Sequence, residues 1–189
     1  MYGFGGWVSV DGRPPAVSHC FPLTRVTDNP YVQGVPGFEA IYEQALHDVT
    51  LSGPTNFREL IDMAVATAME PYRPDYQHYT ILLILTDGAI CDLQETISAI
   101  IAGSDKPLSI IIVGVGSGDF TTMDVLDGDG RRLANSTGTA RRDMVQFVPF
   151  LTAARNGVAE LAKQTLQEVP VQVLEFMNLH GIKPLPKRE

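Results

Sequence analysis

The feature that most constrains the fold is an uncharged run at residues 80–86, which reads Thr-Ile-Leu-Leu-Ile-Leu-Thr. Its residues favour a strand, and it is apolar on both faces, as a strand is when helices cover both sides of a parallel sheet. Residues 107–114, Pro-Leu-Ser-Ile-Ile-Ile-Val-Gly, repeat this pattern. The two runs therefore predict two interior strands of an α/β fold.

The segment between the two runs has the signature of a helix. Asp92 stands three residues before Glu95, and apolar residues follow at helical spacing until Gly103. A strand, helix and strand in this order form a right-handed crossover in nearly all sheets. Such a unit brings the loops that follow its strands to one edge, where we expect ligands to bind.

Further helices and short strands are predicted on either side of this unit. Residues 35–49 have an amphipathic helical pattern, and a second pattern begins near Asn56 and ends by Pro71. Residues 157–178 predict a long final helix that Pro170 kinks or divides. Residues 7–10 and 17–23 predict two short strands, which a turn at residues 11–12 joins. Residues 144–149 predict an edge strand.

The composition is that of one globular domain. Of the 189 residues, 44% are hydrophobic and 19% are charged, and the longest apolar runs are far too short to span a bilayer. The formal net charge is −8 without a basic stripe, so nucleic acid is not an expected partner. Two cysteines are too few for a disulfide framework or a Cys-rich zinc site, which favours a reducing compartment.

Two loops carry oxygen atoms that suit a hard cation. Gly53, Thr55 and Asn56 precede the second predicted helix, and Asp87 and Gly88 directly follow the strand at 80–86. A hydroxyl and a carboxylate from neighbouring loops are suitable ligands for Mg²⁺ or Ca²⁺. An Asp-Gly pair after a strand is also a common turn, and the spacing alone leaves that alternative open.

Enzyme signatures are absent from the sequence. The glycines at 114, 116 and 118 lack the Lys-Ser/Thr of a phosphate-binding loop, so we interpret them as a turn between strand and helix. The four histidines lie far apart, and no Gly-x-Ser-x-Gly elbow is present. A small α/β enzyme that uses the loops around Thr55, Asp87 and Gly116 would need a nucleophile or a cofactor loop, and we find neither.

A series of short motifs extends over nearly the whole chain, at residues 3–5, 17–19, 53–56, 79–88, 108–116, 119–120, 125–129, 145–150 and 168–170. In this order the motifs resemble the von Willebrand factor A domain of the copine family. So many ordered matches are not expected by chance.

The resemblance implies a doubly wound, mostly parallel sheet flanked by helices, of the von Willebrand factor A type. The implied domain is residues 1–180, followed by a flexible tail at 181–189. It starts inside the family's second strand, so the fold is expected to be incomplete at the N-terminus. A sheet without its central strand has unpaired backbone groups, so we expect marginal stability and association through the open sheet.

The resemblance also implies a metal-ion-dependent adhesion site that is degenerate or incomplete. Thr55 matches the family's threonine ligand, and Asp87 matches the aspartate that acts through a water. The third element, Asp-x-Thr-x-Ser, is missing, so weak binding of Mg²⁺ or Ca²⁺ is expected. Residues 48–52 also fit the pattern Asp-x-Thr-x-Ser, but they follow a helix rather than an apolar strand, and we interpret this match as coincidence. The partner-binding edge loops are expected at Gly53, Asn56, Gly88 and Gly116.

The function implied by the resemblance is that of a non-enzymatic protein-interaction module in a copine-like calcium-dependent phospholipid-binding protein. Its expected partners are intracellular proteins, and phospholipid is expected to bind only through modules that this chain lacks. The expected location is the cytoplasm, with recruitment of the full-length protein to the plasma membrane. The alternative is a substrate-recruiting domain of a ubiquitin ligase, because plant relatives join a copine-like domain to a zinc-binding RING.

Overall fold

The computed structural model of the chain describes residues 1–69, 77–128 and 131–185. The chain falls into two units, which we call the N-terminal unit (Met1–Leu60 and Ile90–Asp92) and the sheet unit (Ile61–Ala89 and Leu93–Glu189). Two expected features lie outside the described residues: the end of the second helix at Pro71, and residues 186–189 of the expected tail.

The N-terminal unit consists of short strands, one helix and the start of another. In chain order its elements are β1 (Tyr2–Gly3), β2 (Gly6–Val8), β3 (Ala16–Ser18), β4 (Phe21–Pro22), α1 (Gly34–Asp48), β5 (Thr50–Leu51) and the first residues of α2 (Arg58–Met69). β2 lies between β3 and β5 and pairs with both in antiparallel orientation. β1 and β4 form a separate antiparallel pair.

The predicted strand pair with a turn at residues 11–12 is confirmed as β2 and β3. Asp11 and Gly12 have φ values of 51° and 70°, the left-handed conformation that tight turns use. The Asp11 carboxylate accepts hydrogen bonds from the backbone N–H and the hydroxyl of Thr27, and these bonds lower the pKa of Asp11. The predicted strand at 17–23 is divided, because β3 ends at Ser18 and β4 begins at Phe21.

The sheet unit is a three-stranded parallel sheet with helices, and it confirms the predicted α/β class. Its elements are β6 (Thr80–Thr86), α3 (Leu93–Gly103), β7 (Leu108–Gly114), α4 (Thr121–Asp127), β8 (Ala134–Asn135), β9 (Gly138–Thr139), β10 (Val145–Pro149), α5 (Phe150–Ala154), α6 (Val158–Leu166) and α7 (Val169–Leu179). The strand order is β10, β7, β6, and both pairings are parallel. The predicted strands at 80–86 and 107–114 and the helix between them are therefore confirmed, and β10 is the predicted edge strand.

Burial differs between the two apolar strands, which corrects one expectation. All seven residues of β7 are buried, as predicted for a strand that is covered on both sides. In β6, Ile84 is 3% exposed, but Ile81, Leu83 and Leu85 are 46%, 54% and 48% exposed. The prediction that both faces of the strand are covered is thus wrong for β6. No described element buries the face that carries Ile81, Leu83 and Leu85, and no described strand pairs with the second edge of β6.

Helix α1 forms where the amphipathic pattern predicts it, but it contains no buried residue. Its apolar side chains stay exposed, with Val35 at 68%, Phe38 at 40%, Tyr42 at 50% and Leu46 at 64%. The rings of Phe38 and Tyr42 stack on each other, with centroids 6.4 Å apart. The spacing therefore predicted the helix, whereas the pattern did not ensure that its apolar face would be covered.

The final helix is divided at the predicted proline. α6 ends at Leu166 and α7 begins at Val169, so that Pro170 lies in the first turn of α7, where no intrahelical N–H is required. The side-chain amide of Gln146 in β10 donates to the carbonyl oxygen of Gln164 in α6. Beyond α7, the side chain of Gln77 hydrogen-bonds to the backbone of residues 183 and 185.

Candidate functional site

The loop that carries Gly53, Thr55 and Asn56 is held within the N-terminal unit by backbone hydrogen bonds. On one side, Ser52 N–H donates to the carbonyl oxygen of Gly5 at 2.8 Å. On the other, the Thr55 carbonyl oxygen accepts from Cys91 N–H at 2.8 Å. The backbone around Thr55 is therefore anchored on both sides.

The polar side chains of this loop are left without partners. The hydroxyl of half-buried Thr55 makes no hydrogen bond with any described residue, and the buried Oδ1 of Asn56 has none either. A buried polar atom without a partner is unfavourable, which marks a place where a water, an ion or a ligand group would be stabilising. The loop thus presents oxygen atoms of the kind that a hard cation binds.

Asp92 anchors the residues that follow this loop, in a way that the sequence did not indicate. Its position favoured a role at the start of α3, yet its carboxylate accepts from the N–H groups of Phe57 and Arg58 at the start of α2, at 2.9–3.1 Å. These N–H groups have no partners inside their own helix, and a carboxylate there also interacts favourably with the helix dipole. Asp92 therefore caps a helix 34 residues earlier in the chain.

In the sheet unit, Asp87 and Gly88 follow β6 and lie beside the loop that follows β7. Val115 N–H donates to the Thr86 carbonyl oxygen at 2.7 Å, which continues the pairing of the two strands by one residue. A Cβ at position 118 would overlap the carbonyl oxygen of Asp87, so only glycine allows this close approach. Sequence reasoning did not single out Gly118 as a contact of the Asp87 loop.

The structure brings Asp87, Gly88 and Gly116 to one edge of the sheet unit, as predicted. Asp87 is exposed, and its carboxylate makes no hydrogen bond or ion pair with any described residue. Gly116 has a φ of 90°, which suits the turn out of β7. Gly53, Thr55 and Asn56 belong to the other unit, so their joint action with Asp87 stays a prediction.

The donor set available to a metal is small. Within the described ranges, no group of three or more His, Cys, Asp or Glu side chains could hold a metal ion. The Thr55 hydroxyl and the Asp87 carboxylate are chemically suitable for Mg²⁺ or Ca²⁺, but they are only two ligands. The residues present therefore fit a weak site, and metal binding stays a prediction.

Residues 48–52, which match the pattern Asp-x-Thr-x-Ser, do not lie at the end of an apolar strand. Asp48 is the last residue of α1, and its carboxylate pairs with the Arg25 guanidinium at 2.9 Å. Thr50 belongs to the short strand β5. The Asp48 carboxylate is thus already paired with an arginine side chain, in keeping with our interpretation of this sequence match as coincidence.

The thiol of Cys20 is not activated as a nucleophile. Burial, and to a smaller extent the nearby Glu59 carboxylate, raises the pKa of Cys20 to about 11. The thiolate is the reactive form, so this thiol is almost entirely protonated at neutral pH. Cys91 is exposed, and neither cysteine is in a disulfide.

The parallel sheet with flanking helices and loops at its carboxyl edge defines an α/β module of the von Willebrand factor A-like class. Comparison with known proteins then places this module in a family. The Copine family model matches residues 1–185, so the chain belongs to the copine family.

Individual relatives support this assignment along nearly the full chain. The chain is 43% identical over 189 residues to Copine-C of Dictyostelium discoideum, and 44% identical over 186 residues to Copine-A of the same organism. It is also 44% identical to Protein BONZAI 1 of Arabidopsis thaliana, over 98% of this chain. The chain covers 34%, 30% and 32% of these three relatives, which is about a third of their length. No described helix is long and apolar enough to cross a membrane.

Proposed function

We propose that the chain is a non-enzymatic protein-interaction module of a copine-like protein that binds phospholipid in a calcium-dependent manner. The observation that supports this most is the copine family match over residues 1–185. The side-chain oxygen atoms of Thr55, Asn56 and Asp87 have no hydrogen-bond partner among the described residues. Its net charge of −8 would repel anionic lipid, so phospholipid is contacted through other modules.

The partners in this proposal are intracellular proteins, bound through the edge loops at Gly53, Asn56, Gly88 and Gly116. The full-length protein works in the cytoplasm and is recruited to the plasma membrane when its other modules bind lipid. A cation at Thr55 and Asp87 would add positive charge to this edge. With only two ligands from this chain, the site is degenerate and binds Mg²⁺ or Ca²⁺ weakly.

Thermal unfolding of the purified chain tests the metal site. A cation that binds only the folded state raises its stability by RT ln(1 + [L]/Kd), which is about 1.4 kcal/mol for 10 mM Mg²⁺ at a Kd of about 1 mM. We expect Thr55→Ala and Asp87→Ala to abolish the shift and Thr50→Ala, an exposed threonine in β5, to retain it. Equal melting temperatures of the native chain in Mg²⁺, Ca²⁺ and chelator would refute the site.

Affinity capture from a cell extract tests the interaction function. We expect Asp87→Lys and Asn56→Lys to lose a defined set of proteins that the unaltered chain binds. Glu43→Lys, on the exposed surface of α1, changes charge by the same amount as Asp87→Lys and should bind the same set as the unaltered chain. If all four proteins capture the same set, the edge loops are not the interaction surface.

A further inference from the structure

The sheet unit contains a cavity of about 650 Å³ between α7 and the segment that leads into β10. This volume lies within the range of about 300–1,000 Å³ that ligand pockets occupy. The lining residues that matter here are Arg132, Arg141, Arg142, Glu168, Glu175 and Asn178. None of them belongs to the edge loops, so the cavity is a separate feature of the molecule.

Arg142 supplies a fixed positive charge in the wall of this cavity, because its side chain is only 4% exposed. Its Nη2 donates to the carbonyl oxygens of Lys106 at 2.7 Å and Leu108 at 2.5 Å. Its guanidinium also lies 5.9 Å from the ring centroid of Tyr79 and 5.8 Å from that of Phe176. Burial lowers the pKa of Arg142, but an arginine keeps its charge at neutral pH.

The charge of Arg142 is not neutralised at short range by the described residues. No described carboxylate forms an ion pair with it, and its buried Nε has no hydrogen-bond partner. The carboxylates of Glu175 and Asp143 interact with this charge beyond ion-pair distance and partly offset the effect of burial on the pKa of Arg142. The arginine still lacks a direct counter-ion, which is unfavourable for a buried charge. An anion in the cavity would therefore be stabilised by the arginine already in the wall.

Two further guanidinium groups line the same cavity. Arg132 and Arg141 are exposed, and their side chains make no hydrogen bond or ion pair with any described residue. The lining also holds the carboxylates of Asp143, Glu168 and Glu175, so an anion is favourable only beside the arginines that have no partner. A guanidinium binds a carboxylate with two parallel hydrogen bonds, so these side chains suit a carboxylate ligand.

The opposite wall distinguishes a peptide from a small anion. The lining residues of α7 include Glu175 and Asn178, and Glu168 directly precedes the helix. A free dianion would be repelled by the two glutamates, whereas a peptide could donate backbone N–H groups to them. Asp143, whose pKa is raised mainly by burial, also lines the cavity beside the arginines.

We propose that this cavity binds an acidic peptide segment of a partner protein. A side-chain carboxylate of the peptide lies between Arg132 and Arg141, close to the fixed charge of Arg142, and its backbone N–H groups donate to Glu175. The carbonyl oxygens of the peptide accept from the side-chain amide of Asn178. This inference deepens the proposed interaction function and rests on it, but it uses a different surface from the edge loops.

Selection from a displayed library of random nonapeptides on the full chain tests the proposal. We expect Asp and Glu to be enriched over Asn and Gln, and a selected peptide to bind at least tenfold more weakly to an R132E/R141E double variant. Both arginines are exposed, so the double variant should fold, which its thermal unfolding would verify. R155E, at an exposed arginine outside the cavity, should retain binding.

Several outcomes would overturn the proposal. One is the absence of acidic enrichment, and another is an equal loss of binding in R155E, which would indicate net charge alone. Binding of inorganic phosphate that depends on Arg132 and Arg141, without any peptide selection, would identify a phosphate site instead. If the peptide test fails while edge-loop variants still alter protein capture, the interaction function stands without this site; if capture also fails to change, both proposals fail.

Discussion

The strands β6 and β7 lie side by side and have similar apolar sequences, yet their environments differ. Every residue of β7 is buried, whereas alternate residues of β6 are about half exposed. In the strand order, β7 lies between two partners and β6 has a partner on one edge only. Apolar composition thus predicts that a segment forms a strand, but position in the sheet decides how much of it is buried.

The largest expected difference between the two strands is in the cost of removing a side chain. Ile112 in β7 is 1% exposed, so Ile112→Ala should lower the free energy of unfolding by about 2–5 kcal/mol. Leu83 in β6 is 54% exposed, so Leu83→Ala should cost about 1 kcal/mol or less. Urea unfolding of both variants measures this, and equal losses would mean that the outer face of β6 is covered in solution.

A smaller effect is expected from the buried polar contacts of β7. The Ser109 hydroxyl donates to the Gln172 side chain at 2.5 Å and lies 2.9 Å from the Tyr79 hydroxyl. Ser109→Ala removes a hydrogen-bond partner from both Gln172 and Tyr79. We expect a loss of about 1–3 kcal/mol in urea unfolding. Ile81→Ala, at the position paired with Ser109 in β6, is the matched control and should cost less. A greater loss for Ile81→Ala would contradict the comparison.

The smallest effect on stability is expected from a charge on the outer face of β6. Leu83→Lys should change the free energy of unfolding by about 0.5 kcal/mol or less, because the side chain can reach water. It should, however, reduce concentration-dependent association in sedimentation velocity, since a charge on an exposed apolar edge opposes strand pairing between copies. Leu174→Lys, on an exposed residue of α7, is the control. An unaltered chain that stays monomeric at all concentrations would show that the open edge does not associate.

The elements of the fold could largely be predicted, because their signals are local. The strand at 80–86, the helix that ends at Gly103 and the division at Pro170 all follow from side-chain spacing or from the missing N–H of proline. The positions of Asp87, Gly88 and Gly116 also followed, because loops after parallel strands lie at one edge. These predictions needed no knowledge of which distant residues meet.

Other features of the site could not be predicted, because they depend on contacts between distant residues. Asp92 caps α2 rather than acting in its own helix, and only the folded chain brings it to Phe57. The cavity of Arg132, Arg141 and Arg142 was missed as well, although the Arg-Arg pairs at 131–132 and 141–142 are visible in the sequence. Their spacing gives no indication that α7 lies opposite them.

The sequence by itself determined the longer strands and helices, the loops that follow β6 and β7, and the family resemblance, because these depend on short-range propensity and on the order of motifs. Only the tertiary structure decided which apolar faces are covered, which helix Asp92 caps and where arginines converge. The reason is physical: burial, hydrogen-bond partners and local charge depend on which distant segments are close in space. No periodicity within a single segment contains that information.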